Sequence, residues 1–175
     1  MRTVEHRRHS RRDPGAVHLN PDGIEVARSV ATTIGRFDRV VSSPVPRALE
    51  TVEALGLSAD ALVPELALIP DEVQRVLELF PPRSFADYVR LVRRRTALAE
   101  YARRVAERTR DELLRVPDGG RLLIVSHGSV IELGAASARA HDALSFGPAV
   151  GYLEGVRLFL DGREWVRGEV VRVPP

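Results

Sequence analysis

The stretch Leu122, Leu123, Ile124 and Val125 constrains the fold most, because it is apolar on both of the alternating faces that a strand presents. Such a run is expected of a central strand covered by helices on both sides. A second short run, "FDRVVSS" at 37–43, also ends in small polar residues, and amphipathic helical patterns surround both. In "NPDGIEVARSVATTIG", Asn20 is placed to cap, Pro21 takes the first helical position, Ile24, Ala27, Ala31 and Ile34 share one face, and Gly35 can end the helix. In "SSPVPRALETVEALG", the same punctuation puts Ser43 at the cap and Pro44 at the first position. Ala48, Leu49, Val52 and Leu55 then form the buried stripe, and Gly56 ends it. Alternating strands and helices predict an α/β fold: a three-layer α/β/α sandwich with a mostly parallel central sheet.

Two further segments complete the outline. Residues about 82–116, rich in arginine and glutamate, predict a small helical insertion, either two helices or one kinked helix, closed by Pro117 and "DGG". The C-terminal "YLEGVRLFLDGREWVRGEVVRV" alternates polar and apolar residues around "DGRE" and predicts an antiparallel hairpin at one edge of the sheet. No internal repeat or boundary interrupts the chain, so residues 1–175 read as one domain.

Several function classes fall away. There are no cysteines, which removes disulfides, thiolate metal sites and cysteine nucleophiles. No apolar run approaches the roughly 18 residues of a bilayer span, and the first residues are charged rather than signal-like, so the expectation is a cytoplasmic protein without membrane contact. All 26 basic residues are arginine, yet the formal net charge is only +2, a balance that argues against a dedicated nucleic-acid binder. Arginine nevertheless offers a planar fork of donors suited to phosphate and carboxylate.

Three places lie at or just beyond predicted strand ends, where ligands bind in open α/β sheets: Arg8 with His9, Arg47 in "SSPVPRALET", and His127 in "SHGS". Each alone also fits an ordinary role. "VEHRRHSRRD" reads as a basic arm or solvated terminus, Arg47 as a surface residue of a first helical turn, and His127 as a satisfied strand-end histidine.

Taken together, "RRHS" at 7–10, "HLNPDGIEVA" at 18–27, "SSPVPRALET" at 42–51 and "VSHGS" at 125–129 resemble, in order and spacing, the histidine phosphatase superfamily, also called phosphoglycerate-mutase-like. The resemblance covers roughly residues 2 to 135. It implies a phosphomonoesterase in which His9 attacks phosphorus to give a phosphohistidine intermediate that water hydrolyses. Arg8 and Arg47 would hold the phosphoryl oxygens, and His127, protonated once phosphate is bound, would donate to them. The arginines would keep His9 unprotonated, and neither metal nor cofactor would be needed.

For a proton donor to the leaving group, "PELALIPDEV" offers Glu65, Asp71 and Glu72. Glu72 has the most suitable spacing and Asp71 is the fallback, although acids at a helix N-terminus also need no function. The chain departs from the family pattern at Ser10, where glycine is usual. Its hydroxyl could donate to phosphate, or its backbone could be strained. The polar first strand also departs, with Glu5 and His6 expected to pair with each other or with later acids. Arg11 and Arg12 are expected at the rim of the pocket, facing substrate. The resemblance implies a small-molecule phosphomonoester or a phosphoprotein as partner. The alternatives are a catalytically weak phosphate- or phosphoprotein-binding domain, mutase-type phosphoryl transfer, or a nucleic-acid arm on an unrelated domain. Oligomeric state is not legible.

Overall fold

A computed structural model of the chain describes residues 1–173. The elements run β1 (Arg2–Arg8), α1 (Pro21–Ala31), β2 (Arg39–Ser42), α2 (Pro46–Ala54), β3 (Ala61–Leu62), a 3-10 turn (Pro64–Leu66), α3 (Asp71–Leu79), α4 (Phe85–Arg94) and α5 (Thr96–Leu113). They continue with β4 (Arg121–Ser126), α6 (Val130–Ala138), α7 (Ala140–Ala143), β5 (Gly155–Asp161) and β6 (Glu164–Val171). The strands form one sheet in the order β3-β2-β4-β1-β5-β6. Pairing is parallel from β3 through β1 and antiparallel at β1–β5 and β5–β6. The C-terminal hairpin therefore closes one edge, as its alternation predicts.

The apolar run of β4 is central, flanked by β2 and β1. Its alternation feeds two cores: Leu122 and Ile124 pack among residues of α5 and α6, whereas Leu123 and Val125 pack with Ala27 and Val30 of α1 and Ala48 and Val52 of α2. Helices thus cover both faces, the arrangement that lets a strand of four consecutive apolar residues stay dry. Among the described residues no helix is long and apolar enough to cross a membrane. Residues 82–116 hold two helices, α4 and α5, broken at Arg95, whose backbone is extended.

Two expectations about local structure are corrected. The second helix begins at Pro46, after Val45, with no side-chain cap, rather than at Pro44 after Ser43. A residue preceding proline is driven out of the helical region, so Val45 stays extended, at ψ 132°, and the first turn cannot form earlier. On β1, Glu5 and His6 do not pair with each other, because neighbouring strand residues point to opposite faces. Glu5 instead accepts from Arg7, two residues on, at 2.6 Å, and from Arg157, its register partner on β5, at 2.8 Å. His6 meets the Ser126 hydroxyl at 2.6 Å. The buried polar groups of this strand are therefore satisfied in two separate sets, one on each side of the sheet.

Candidate active site

The parallel register aligns Arg8 of β1 with Ser126 of β4, and Ser42 of β2 with Val125. The residues that follow, His9, His127 and the loop leading to Arg47, therefore emerge together at the C-terminal ends of three adjacent strands, where open α/β sheets leave a crevice. Arg8, His9, Arg12, Arg47, Gln74, Tyr88, His127, Ser129 and Glu132 are among the walls of a cleft of about 600 Å³ there. Three of the four motifs quoted above meet at this point.

The hydrogen bonds assign the imidazole tautomers. His9 Nδ1 lies 2.8 Å from the Ser10 carbonyl, which can only accept, so Nδ1 carries the proton. Arg47 Nε donates to His9 Nε2 at 3.1 Å, so the lone pair of Nε2 is directed at the guanidinium. At His127 the roles of the two nitrogens are reversed. Nδ1 accepts from Arg47 Nη2 at 3.3 Å, and Nε2 lies 2.9 Å from the Ser43 hydroxyl. The two rings stand edge to face, 5.3 Å apart.

Burial, together with the charges of Arg47, Arg8 and Arg12, lowers His9 to about 4, against the opposing effect of the Ser10 carbonyl. His127 falls to about 3, through burial first and then the Arg47 charge. Both imidazoles are neutral at pH 7. Arg8 donates to the Val150 carbonyl at 3.0 Å and lies over the Tyr152 ring, 4.5 Å from its centroid. Ser129 sits at φ 64°, a region costly for a residue with a side chain, and its hydroxyl meets Tyr88 at 2.8 Å.

The remaining sequence expectations fare unequally. Arg8, His9, Arg47 and His127 converge. Ser10 is buried with its hydroxyl donated to the Gly23 carbonyl at 2.6 Å and its N–H to Thr51 at 2.9 Å, so neither donor faces the cleft. Its backbone is not in the left-handed region, which removes the strain expected from serine in place of glycine. The restrictive glycine is Gly23, where a Cβ would come within 2.1 Å of the Arg11 carbonyl; its absence lets the loop after His9 lie on α1.

Asp71 and Glu72 are exposed in the first turn of α3 and do not line the cleft; Gln74 is the residue of that helix that does. Glu65 lines a different cavity, with Tyr101 and Leu68. The carboxyl in the cleft walls is Glu132, which sequence reasoning missed because nothing in its spacing marks it. It accepts from Val150 N at 2.9 Å, its other oxygen is buried without a partner, and burial pushes its pKa up. Of the two rim arginines, Arg12 faces the cleft, whereas Arg11 pairs with Asp22 at 2.7 Å and stands outside it.

Comparison with known proteins bears on the family and the fold. A family model for the histidine phosphatase superfamily (branch 1) matches residues 2–149. No curated protein matches the sequence. Among solved structures, a phosphoserine phosphatase from Entamoeba histolytica, in complex with 3-phosphoglyceric acid, is 18% identical with a TM-score of 0.75, covering 99% of this chain and 98% of that one. A mycobacterial glucosyl-3-phosphoglycerate phosphatase is 19% identical, TM-score 0.63, with 98% of each chain covered. A phosphoglycerate mutase from Bacillus anthracis is 14% identical, TM-score 0.62, covering 94% of this chain and 90% of that one. At these identities the likeness is one of fold.

Proposed function

The chain belongs to branch 1 of the histidine phosphatase superfamily, and from that premise we propose that it hydrolyses phosphomonoesters through a phosphohistidine on His9. The observation that carries this reading is the Arg47 Nε to His9 Nε2 contact of 3.1 Å, with Nδ1 tied to the Ser10 carbonyl. It leaves Nε2 as the unprotonated nitrogen, beside a cation that can pass to an incoming phosphoryl group. In the first step the Nε2 lone pair forms a bond to phosphorus while the ester P–O bond breaks, its electrons leaving on the ester oxygen, which takes up a proton from solvent water. In the second, a water oxygen bonds to phosphorus and gives up a proton to solvent, the N–P bond breaks with its electrons returning to Nε2, and orthophosphate leaves with His9 restored.

Arg8 and Arg47 would hold the equatorial oxygens, where fixed positive charge stabilises the transition state most. His127, neutral in the free chain, would join them by taking a proton on Nδ1, a change that a bound dianion favours. Two guanidinium groups and an imidazolium thus provide the charge from the chain itself, and the reading is of a phosphatase that works without metal. The cleft of about 600 Å³ suits a small ester or an exposed phosphorylated side chain. Two of the structural neighbours are named for phosphoserine and glucosyl-3-phosphoglycerate, which supports a small phosphorylated substrate.

The test is rapid acid-free quenching with radiolabelled phenyl phosphate in the presence of chelator. An alkali-stable, acid-labile label should appear on the wild-type chain and be absent from His9→Ala. Full turnover by His9→Ala would overturn the mechanism, and tight phosphate binding with no labelled protein would favour a binding domain instead.

A further inference from the structure

Arg8, Arg12 and Arg47 all line the cleft, and among the described residues none of the three has a carboxylate within ion-pair distance. Elsewhere the half-buried arginines Arg39, Arg139, Arg157 and Arg172 are paired with acids. The carboxyl that does line the cleft, Glu132, is buried and held by Val150 N, and its burial favours the neutral form. A phosphomonoester with a second pKa of about 6 arrives near pH 7 with roughly two negative charges. It balances two of the three guanidinium groups and leaves at least one positive charge unmatched in a confined wall.

Arg12 is the group in excess. Arg8 is the immediate neighbour of His9, and Arg47 touches both histidines, whereas Arg12 is held on the loop that follows. Its Nη1 donates to the carbonyls of Asp13 and Ala16, each at 3.1 Å. Those bonds hold Nη1 and leave the opposite edge, Nε with Nη2, without a partner among the described residues, with Nε buried. The loop is itself fastened, by Ser10 Oγ to the Gly23 carbonyl and by Asn20 N to the Arg11 carbonyl at 3.2 Å. A side-on guanidinium edge of this kind matches the two oxygens of a carboxylate, and its fixed orientation lowers the ordering cost of binding.

We propose that Arg12 is a specificity-determining residue that binds a carboxylate carried by the substrate beside its phosphoryl group, so that the cleft selects phosphomonoesters bearing one further negative charge. The inference rests on the phosphatase reading of the site, but its test does not depend on turnover.

Titration calorimetry on the His9→Ala chain, which leaves esters intact, compares 3-phosphooxypropionate with 3-hydroxypropyl phosphate, a pair matched in carbon number and differing in the carboxylate. The carboxylate ester should bind at least about tenfold more tightly, and Arg12→Gln should bring the two within about threefold of each other. Arg12→Lys, which keeps the charge and loses the fork, should give an intermediate ratio and serves if the Gln variant does not fold. Equal affinities in the His9→Ala chain, or a ratio unchanged in a folded Arg12 variant, would overturn the proposal. Tighter binding of propane-1,3-diol bisphosphate than of the carboxylate ester would overturn the choice of carboxylate. Failure of any of these leaves the phosphoenzyme experiment standing, and failure of that experiment leaves these ratios readable.

Discussion

Between pH 8 and 5 three buried histidines should together cost this chain about 6 kcal/mol of folding stability, offset in part by Glu132, because they are neutral in the folded state and protonated in the unfolded one. His6 is held to about 3 by burial alone, His127 to about 3 and His9 to about 4, against about 6.5 for an imidazole in an unfolded chain. Because the folded values are depressed, the unfolded state binds more protons everywhere between about pH 4 and 6.5, and stability rises with pH across that window. At pH 5 an unfolded imidazole is almost wholly protonated and a folded one almost wholly neutral, so each residue contributes a loss of about 2 kcal/mol.

The lowered carboxylates barely enter at this pH. Asp87, held to about 2 by its bonds to Ser84 and Arg83, and the lowered Asp142 and Glu50 lose their contributions only as the pH falls toward and below the ordinary carboxylate range. Glu132, raised by burial, has the opposite sign: its contribution is present at low pH and lost as the pH rises through its folded value. A domain whose whole stability is about 5–15 kcal/mol would lose much of it. The acid limit of activity should therefore coincide with unfolding rather than with protonation of His9. Urea denaturation at pH 8, 7, 6 and 5, followed by far-UV circular dichroism, measures the slope directly. Imidazole NMR signals of the folded chain titrating near 6.5 would refute the reasoning, as would an unfolding free energy that agrees within about 1 kcal/mol between pH 8 and pH 5 in Glu132→Gln, which removes the opposing group.

Two substitutions test the site itself. Arg47→Gln removes the donor shared by His9 and His127, and the phosphorylation rate in rapid-quench experiments should fall about 10²–10³-fold, as for loss of one preorganised charge-stabilising donor; a fall below tenfold would move the phosphoryl pocket elsewhere. Ser10→Ala deletes the 2.6 Å bond to the Gly23 carbonyl and should lower stability by about 1–3 kcal/mol, with calorimetric affinity for orthophosphate unchanged. A tenfold weaker phosphate affinity would instead return that hydroxyl to the ligand.

What was legible in the sequence is what depends on local or repeating rules. The doubly apolar run of β4 required cover on both faces, the proline and asparagine before α1 marked its start, and "DGRE" marked the hairpin; strand-end positions alone brought Arg8, His9 and His127 under suspicion. Spacing failed where two rules competed, as at Val45, where the restriction before Pro46 outweighed capping by Ser43. Spacing also did not show that Glu72 stands outside the cleft walls, because distance along the chain does not say which side of a helix faces a cleft. The partners of buried polar groups were decided only by tertiary structure. Whether Ser10 bonds phosphate or the Gly23 carbonyl, whether Arg11 or Arg12 enters the cleft, and whether Glu132 stands beside the arginines all depend on which distant atoms lie within about 3 Å. Hydrophobic periodicity is a property of the chain itself and survives in one dimension, whereas a hydrogen bond or a depressed pKa belongs to a pair of groups that only the folded sheet brings together.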